Sequence, residues 1–363
     1  MSSSIGESIR LTIFGESHGE AIGCVLDGLP AGEEVDREAI LRQMARRAPG
    51  RDKTSTPRRE DDTPEILSGL LNGRTTGAPL AMLIRNRNTR SADYDELIRL
   101  PRPGHADYTG FVRYDGYNDP RGGGHFSGRL TAPMVFAGAV CRGILRRRGV
   151  SIGGHILSIA DVSDDRFDPV TVDAALLDSL AERPFSLLNS AAEAPMRARV
   201  EAARLALDSV GGVVEVAAAG LPVGVGSPMF GGVENRLAAL LFGIPAVKGV
   251  EFGEGFGFAA LRGSEANDPF VYDPDGQVVA TQNHNGGLLG GITNGMPLVV
   301  RAAIKPTASI AQSQKTVDLY AGREATLAVK GRHDPCIVPR ALPVVEAAVA
   351  IGLLDAMESE GVR

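Results

Sequence analysis

The run Arg-Gly-Gly-Gly-His-Phe-Ser-Gly-Arg-Leu-Thr at residues 121–131 joins an irregular stretch to an apolar helix predicted over 131–148. Three consecutive glycines free the backbone either to wrap around an anionic ligand or simply to make a tight corner. No Gly-Lys-Ser/Thr ends the run, so it is not a Walker motif. A phosphate bound here would lie beside the N-terminus of the predicted helix.

Helices and strands are predicted on both sides of this run. The residues from Leu100 to Thr131 show no periodicity, and their His, Arg and aromatic content favours a functional loop. Apolar periodicity predicts helices at 36–48, 131–148, 171–182, 195–209, 233–242 and 340–357, and strands at 11–14, 22–26, 81–84, 213–219, 247–252 and 297–304. Gly211-Gly212 is predicted to end the helix at 195–209. Since no change in composition marks a linker, we predict an α+β fold with one domain over residues 1–363.

Composition excludes several classes of protein. The chain has no tryptophan. Its 45 glycines indicate many tight turns or backbone close to a ligand. Three scattered cysteines are too few for a disulfide framework or a four-ligand zinc site, and we predict no metal site. No apolar run reaches the roughly 18 residues of a membrane span, and the first residues lack the pattern of a secretory signal. We therefore expect a cytoplasmic protein that binds no membrane.

Basic residues concentrate in one segment of an acidic chain. The formal net charge is −6, yet residues 37–59 are strongly basic. A local basic pocket in an acidic protein fits a small polyanion better than nucleic acid, whose binders are usually basic across a whole domain. A solvated helix face remains the alternative for this segment.

Four further segments carry groups suited to chemistry. A histidine follows a predicted strand in Gly-Glu-Ser-His-Gly at 15–19, and Arg-Pro-Gly-His-Ala-Asp at 102–107 presents an arginine and a histidine from one turn. A second glycine-rich run at 283–295 precedes Lys-Pro-Thr-Ala-Ser at 305–309, whose ammonium and hydroxyls suit a phosphate. Gly-Arg-His-Asp-Pro-Cys at 331–336 combines a cation, an imidazole and a carboxylate. Each segment alone could equally be an ordinary loop.

Taken in order, these segments resemble the chorismate synthase family. The matching blocks lie at 15–19, 46–50 (Arg-Arg-Ala-Pro-Gly), 102–107, 121–124, 283–287, 305–309 and 331–336, and they span nearly the whole chain. The resemblance implies a layered β-α-β sandwich with helices between antiparallel sheets. It also implies a lyase of the shikimate pathway, in aromatic amino-acid biosynthesis, that removes phosphate from 5-enolpyruvylshikimate-3-phosphate (EPSP) by 1,4-anti-elimination to give chorismate. The family requires reduced FMN, without net redox change, and usually forms a homotetramer.

The resemblance also implies roles for individual residues. His18 would protonate the leaving phosphate, His105 would protonate or orient the reduced flavin, and Asp334 would assist removal of the ring proton. The implied FMN contacts are His125, Ser127, Ala246, Gly290, Lys305, Thr307, Ser309 and Arg332. The implied substrate contacts are Ser17, Arg47, Arg51, Arg102, Arg129 and Arg332. Some members reduce their own FMN with NADPH; that reaction is left open here, with Arg47 and Lys53 as the candidate NADP contacts.

The chain departs from the usual family pattern at Ala48, His125 and Leu130. Two other functions stay open on the sequence alone. One is a flavin-dependent oxidoreductase that exchanges hydride with an external substrate. The other is an anion-binding module without activity, in which residues 37–59 contact nucleic acid. The polar loops at 50–60 and 86–95 are expected to become ordered when flavin and EPSP bind.

Overall fold

The computed structural model describes residues 3–50, 62–86, 96–329 and 334–362. Short 3-10 turns lie between several of the regular elements. The helices are α1 (Arg37–Arg47), α2 (Asp107–Arg113), α3 (Thr131–Arg147), α4 (Ala174–Ala181), α5 (Glu193–Leu205), α6 (Val233–Phe242), α7 (Gly263–Ala266) and α8 (Val338–Ser359). The strands are β1 (Ser4–Ile5), β2 (Arg10–Gly15), β3 (Ala21–Asp27), β4 (Glu65–Ser68), β5 (Leu70–Leu71), β6 (Arg74–Thr75), β7 (Leu80–Arg85), β8 (Ser151–Ile159), β9 (Val162–Ser163), β10 (Gly212–Ala219), β11 (Val247–Phe252), β12 (Phe270–Tyr272), β13 (Val278–Ala280), β14 (Leu288–Leu289), β15 (Ile292–Thr293), β16 (Leu298–Ile304), β17 (Gln314–Asp318) and β18 (Arg323–Leu327).

Two five-stranded antiparallel sheets form the outer layers of the sandwich. The first sheet has the order β1-β2-β3-β7-β4, and the second has the order β11-β16-β10-β8-β9. Helix α3 packs on the first sheet and against α8, while α8 packs on β8 and β10 of the second sheet. The predicted α+β sandwich with helices between antiparallel sheets is therefore confirmed.

Helix α8 is mostly apolar and is buried on all sides because it lies at the centre of these layers. Its residues from Val338 to Met357 are almost all buried, as expected for a helix surrounded by protein. Gly138 of α3 lets the two helices approach closely, since a Cβ atom there would lie 2.3 Å from the Cβ atom of Ala347. None of the helices in the described part of the chain is long and apolar enough to span a bilayer.

The predicted helices are confirmed, with ends shifted by a few residues, and α6 matches its predicted bounds. Asp36 caps α1 as expected, because its Oδ1 accepts the N–H of Ala39 at 2.9 Å. The predicted stop of α5 is wrong. That helix ends at Leu205, and Leu207 turns the chain with a left-handed φ of 59°. Gly212 instead begins β10.

A ladder of alternating charges crosses the second sheet. Glu251 pairs in register with Arg301, Arg301 with Glu215, and Glu215 with His155. The ring nitrogens of fully buried His155 lie 3.0 Å from carboxylate oxygens of Glu215 and Asp164, so the ring donates on both sides. Burial by itself disfavours the charged ring, but these two hydrogen bonds outweigh it and raise the pKa of His155. The ladder holds four strands and a loop together through ionic hydrogen bonds.

Candidate active site

A cavity of about 940 Å³ lies where the ends of the helical layer meet the loops of the predicted motifs. Its described lining includes four arginines, two lysines and two histidines, and Asp334 is the one lining residue described with a carboxylate. The predicted site residues that line the cavity are Ser17, Arg47, Arg102, His105, His125, Ser127, Arg129, Ala246, Lys305, Thr307, Ser309 and Asp334. The fold thus brings together segments that are more than 300 positions apart in the sequence.

The triple glycine passes directly beside both predicted catalytic histidines. Gly122, Gly123 and Gly124 all have positive φ, at 59°, 83° and 51°. A Cβ atom on Gly122 would lie 2.3 Å from Cε1 and Nδ1 of His18, and one on Gly123 would lie 3.0 Å from Cε1 of His105. These glycines therefore serve both the backbone conformation and the space that the two rings occupy.

His18 is buried behind the cavity wall. Its Nδ1 lies 3.3 Å from the hydroxyl of Ser17, which does line the cavity. The N–H of Ser17 donates to the carbonyl of Gly124 at 3.1 Å, which fixes the loop against the glycine run. Ser17 therefore connects His18 to the space that a ligand can fill.

Asp107 holds Arg102 and His105 together. Its carboxylate accepts from Arg102 Nε at 2.7 Å and Nη2 at 2.8 Å, and lies 2.6 Å from His105 Nδ1. Burial alone would raise the pKa of Asp107, but the hydrogen bonds from Arg102 and His105 hold it well below its usual range. Because a carboxylate oxygen accepts, the proton of this contact lies on Nδ1 of His105.

A second carboxylate joins two arginines that line the cavity. Asp62 accepts from Arg47 Nη1 at 2.9 Å and from Arg129 Nη1. Arg47 also donates to the hydroxyl of Thr131 at 3.2 Å and to the carbonyl of Gly128 at 3.1 Å. Both guanidinium groups are consequently fixed before any ligand arrives.

The segment after β16 forms another wall. Lys305 donates its ammonium to the carbonyl of Gly104, and Ser309 accepts from Arg102 Nη1 at 2.9 Å. Thr307 Oγ1 is buried without a hydrogen-bond partner in the described part of the chain. Ala246 accepts the N–H of Lys305 at 2.9 Å and has a φ of 76°, which is costly for a residue with a Cβ atom. Unsatisfied and strained groups of this kind are typical of a ligand-binding surface.

Asp334 lines the cavity and lies just before α8. Its carboxylate accepts from Arg340 Nη1, and Arg340 Nε donates to the carbonyl of Arg47 at 3.0 Å. Arg340 therefore connects Asp334 to Arg47, one of the two arginines that Asp62 joins.

Some predicted residues lie elsewhere or outside the described chain. Gly290 lies in the turn between β14 and β15 and does not line the cavity. Arg51, Lys53 and Arg332 are outside the described residues, as are 51–60 and 87–95 of the two predicted loops. His125, at one of the departures from the family pattern, bonds through Nδ1 to the carbonyl of Gly15 at 2.7 Å and through Nε2 to the hydroxyl of Ser3 at 2.8 Å. The described residues contain no cluster suited to a metal ion.

The sequence did not indicate Asp62, Asn86 or Arg340 as site residues. Asp62 lies in a polar stretch that carries no periodicity, and Asn86 follows a strand with no neighbouring motif. Arg340 does have a signal, since it follows Asp334 by six positions at the start of a predicted helix. A search for carboxylate–arginine pairs at that spacing would have found it.

Comparisons with known proteins agree on one family. The family model of chorismate synthase matches residues 9–357. Among curated relatives, the chorismate synthase of Thermococcus kodakarensis is 50% identical over 350 residues, 96% of each chain. That of Archaeoglobus fulgidus is 49% identical over 357 residues, 98% of this chain and 97% of the relative. A crystal structure of chorismate synthase superposes with a TM-score of 0.76 at 29% identity and covers 99% of this chain and 94% of that one.

Proposed function

The chain belongs to the chorismate synthase family, and from this premise we propose that it converts EPSP to chorismate by 1,4-anti-elimination of phosphate, with reduced FMN and no net redox change. The observation that carries the proposal is the cavity in which three buried arginines meet the two histidine loops. A phosphate leaving group and two carboxylates need such a concentration of fixed cations.

The arginines bind and orient the substrate. EPSP carries a phosphate and two carboxylates, and burying that charge requires cations that are already in place. Arg47, Arg102 and Arg129 present planar guanidinium groups that match both kinds of anion. Because each is fixed from behind by a carboxylate, little side-chain freedom is lost on binding.

The remaining wall fits reduced FMN. Lys305, Thr307 and Ser309 offer an ammonium and hydroxyls to a phosphate. The buried Oγ1 of Thr307 has no partner among the described residues, so it has room for one more hydrogen bond. Apolar side chains of α3 and α8, among them Met134 and Val344, line the same cavity and suit a flat ring system. When bound, reduced FMN supplies electron density to the substrate transiently and takes it back.

Three side chains handle protons. His18 delivers a proton to the departing phosphate, and Ser17 Oγ lies between His18 and the cavity as the relay. Nε2 of His105 is the ring nitrogen that exchanges a proton with the flavin, because Nδ1 donates to Asp107. Asp334 assists loss of the ring proton from its position beside Arg340.

Assembly, location and flavin reduction are further parts of the proposal. We propose that the chain assembles as a homotetramer, which the large apolar side chains exposed on β12 support; Tyr272 there is 78% accessible. We also propose a cytoplasmic location. Reduction of FMN by NADPH, with Arg47 and Lys53 as contacts, stays a prediction.

An anaerobic assay with EPSP and reduced FMN tests the proposal. Chorismate and phosphate should appear in equal amounts while the flavin remains reduced. Stoichiometric oxidation of the flavin during turnover would instead favour the flavin-dependent oxidoreductase. Binding of DNA with steep salt dependence and no affinity for flavin would support an anion-binding module.

A further inference from the structure

We propose that Asp62 is a positioning residue for substrate binding, a buried counter-ion that fixes Arg47 and Arg129 as a pair facing the cavity. The proposal rests on the proposed function, since it assigns these arginines to the anionic substrate. Asp62 bridges them with separate carboxylate oxygens, Oδ2 for Arg47 and Oδ1 for Arg129. All three side chains are at most 7% exposed.

The carboxylate acts from behind the arginines. Both arginines line the cavity and Asp62 does not, so Asp62 leaves the ligand side of the pair open. Two neighbouring guanidinium groups repel each other, and in a buried setting this repulsion is strong. The carboxylate between them reduces this repulsion, and it does so from the side away from the cavity.

The same network extends to the loop of His18. Arg129 Nε donates to Asn86 Oδ1 at 3.3 Å, and Asn86 Nδ2 donates to the carbonyls of Glu16 and Gly19 at 3.0 Å each. The arginine pair and the loop that carries His18 are therefore held by one set of hydrogen bonds. A substrate anchored on the pair has a defined distance to the Ser17 hydroxyl.

The chain contains a matched control for this arrangement. Glu346 is a buried carboxylate, 2% exposed, that also accepts from two arginines, Arg46 Nη2 at 2.9 Å and Arg142 Nη1 at 3.1 Å. It does not line the cavity. Asp62→Asn and Glu346→Gln thus remove the same charge from the same kind of buried trio, one at the cavity and one away from it.

The experiment compares EPSP binding, steady-state kinetics and melting temperature for these variants. Both should melt below wild type, because each removes a buried carboxylate that two buried guanidinium groups contact. Asp62→Asn alone should raise KM for EPSP and its calorimetric Kd by roughly 10- to 150-fold, the cost of a lost charge-assisted hydrogen bond. FMN affinity should stay near wild type in both variants.

Asp62→Glu separates position from charge and serves if the Asn variant does not fold. It keeps the charge but moves the carboxylate by one methylene, so KM should still rise while the melting temperature stays close to wild type. An unchanged KM in a folded Asp62→Asn or Asp62→Glu variant would overturn the proposal, and so would an equal rise in KM for Glu346→Gln. If wild type itself neither binds EPSP nor forms chorismate, the proposed function fails instead.

Discussion

Replacing Gly122 by alanine tests whether the glycine run sets the position of His18. The new Cβ atom would lie 2.3 Å from Cε1 and Nδ1 of His18 and 2.8 Å from Ser17 Oγ, where ordinary contacts begin near 3.4 Å. The ring must therefore move by about 1 Å, and a displacement of about 1 Å in a catalytic group can cost about 100-fold in rate. The left-handed φ of 59° adds about 1 to 2 kcal/mol of backbone strain for a residue with a Cβ atom.

Gly149→Ala is the matched control. Gly149 also has a left-handed φ, 85°, but a Cβ atom there meets nothing within 4 Å. Both variants should melt a few degrees below wild type, while only Gly122→Ala should lose about 100-fold in kcat under anaerobic assay with reduced FMN. A folded Gly122→Ala enzyme with wild-type kcat would refute the reasoning, and an equal loss in Gly149→Ala would trace the effect to strain alone.

Three further outcomes are expected. Arg47→Ala should weaken EPSP binding by roughly 10- to 150-fold and FMN binding much less. Equal losses for both ligands by calorimetry would show that Arg47 is wrongly assigned to the substrate. Thr307→Val should keep the melting temperature of the free protein, because the hydroxyl has no partner among the described residues. The same variant should bind FMN about 10-fold more weakly in a fluorescence titration. An unchanged affinity would show that Thr307 does not contact FMN. The bonds of charged His155 to Asp164 and Glu215 should stabilise the protein fully below the unfolded pKa of about 6.5, and less as pH rises through the raised folded pKa. The melting temperatures of wild type and His155→Gln should therefore approach each other at alkaline pH. A difference that stays constant with pH would contradict a charged His155.

Helices were predicted well where their apolar period and caps are local. Asp36 and the apolar period after it define α1, and the apolar period of 233–242 matches α6. Strand β8 was missed, although it lies inside the second sheet. It is buried on both faces, so it lacks alternation, and Gly153-Gly154 breaks its apolar pattern. Those glycines are needed for packing, since a Cβ atom on Gly153 would lie 2.6 Å from the carbonyl oxygen of Leu177.

The site residues also divide into those that local sequence indicates and those that only the fold brings together. The sequence pointed to side chains within recognisable blocks, such as Arg102 and His105, because neighbouring residues gave them a context. It could not point to Asp62, whose importance comes from contacts with Arg47 and with Arg129, 67 positions away. A single carboxylate in a polar stretch has no periodicity or spacing that distinguishes it from a solvated loop residue. Only the folded chain supplies its partners.

The two carboxylates behind the cavity explain how so many cations can be assembled there. Asp62 and Asp107 each bind two cavity-facing basic groups, and neither lines the cavity itself. Each therefore lowers the repulsion within its pair without occupying the space of an anionic ligand. Carboxylates beyond that of Asp334 in the cavity lining would compete with the substrate, and without Asp62 and Asp107 the cations would repel one another. With the counter-ions on the protein side, the cationic side chains of the cavity are ordered before the ligand binds. Binding energy is then available to orient the substrate and is not needed to rearrange these side chains.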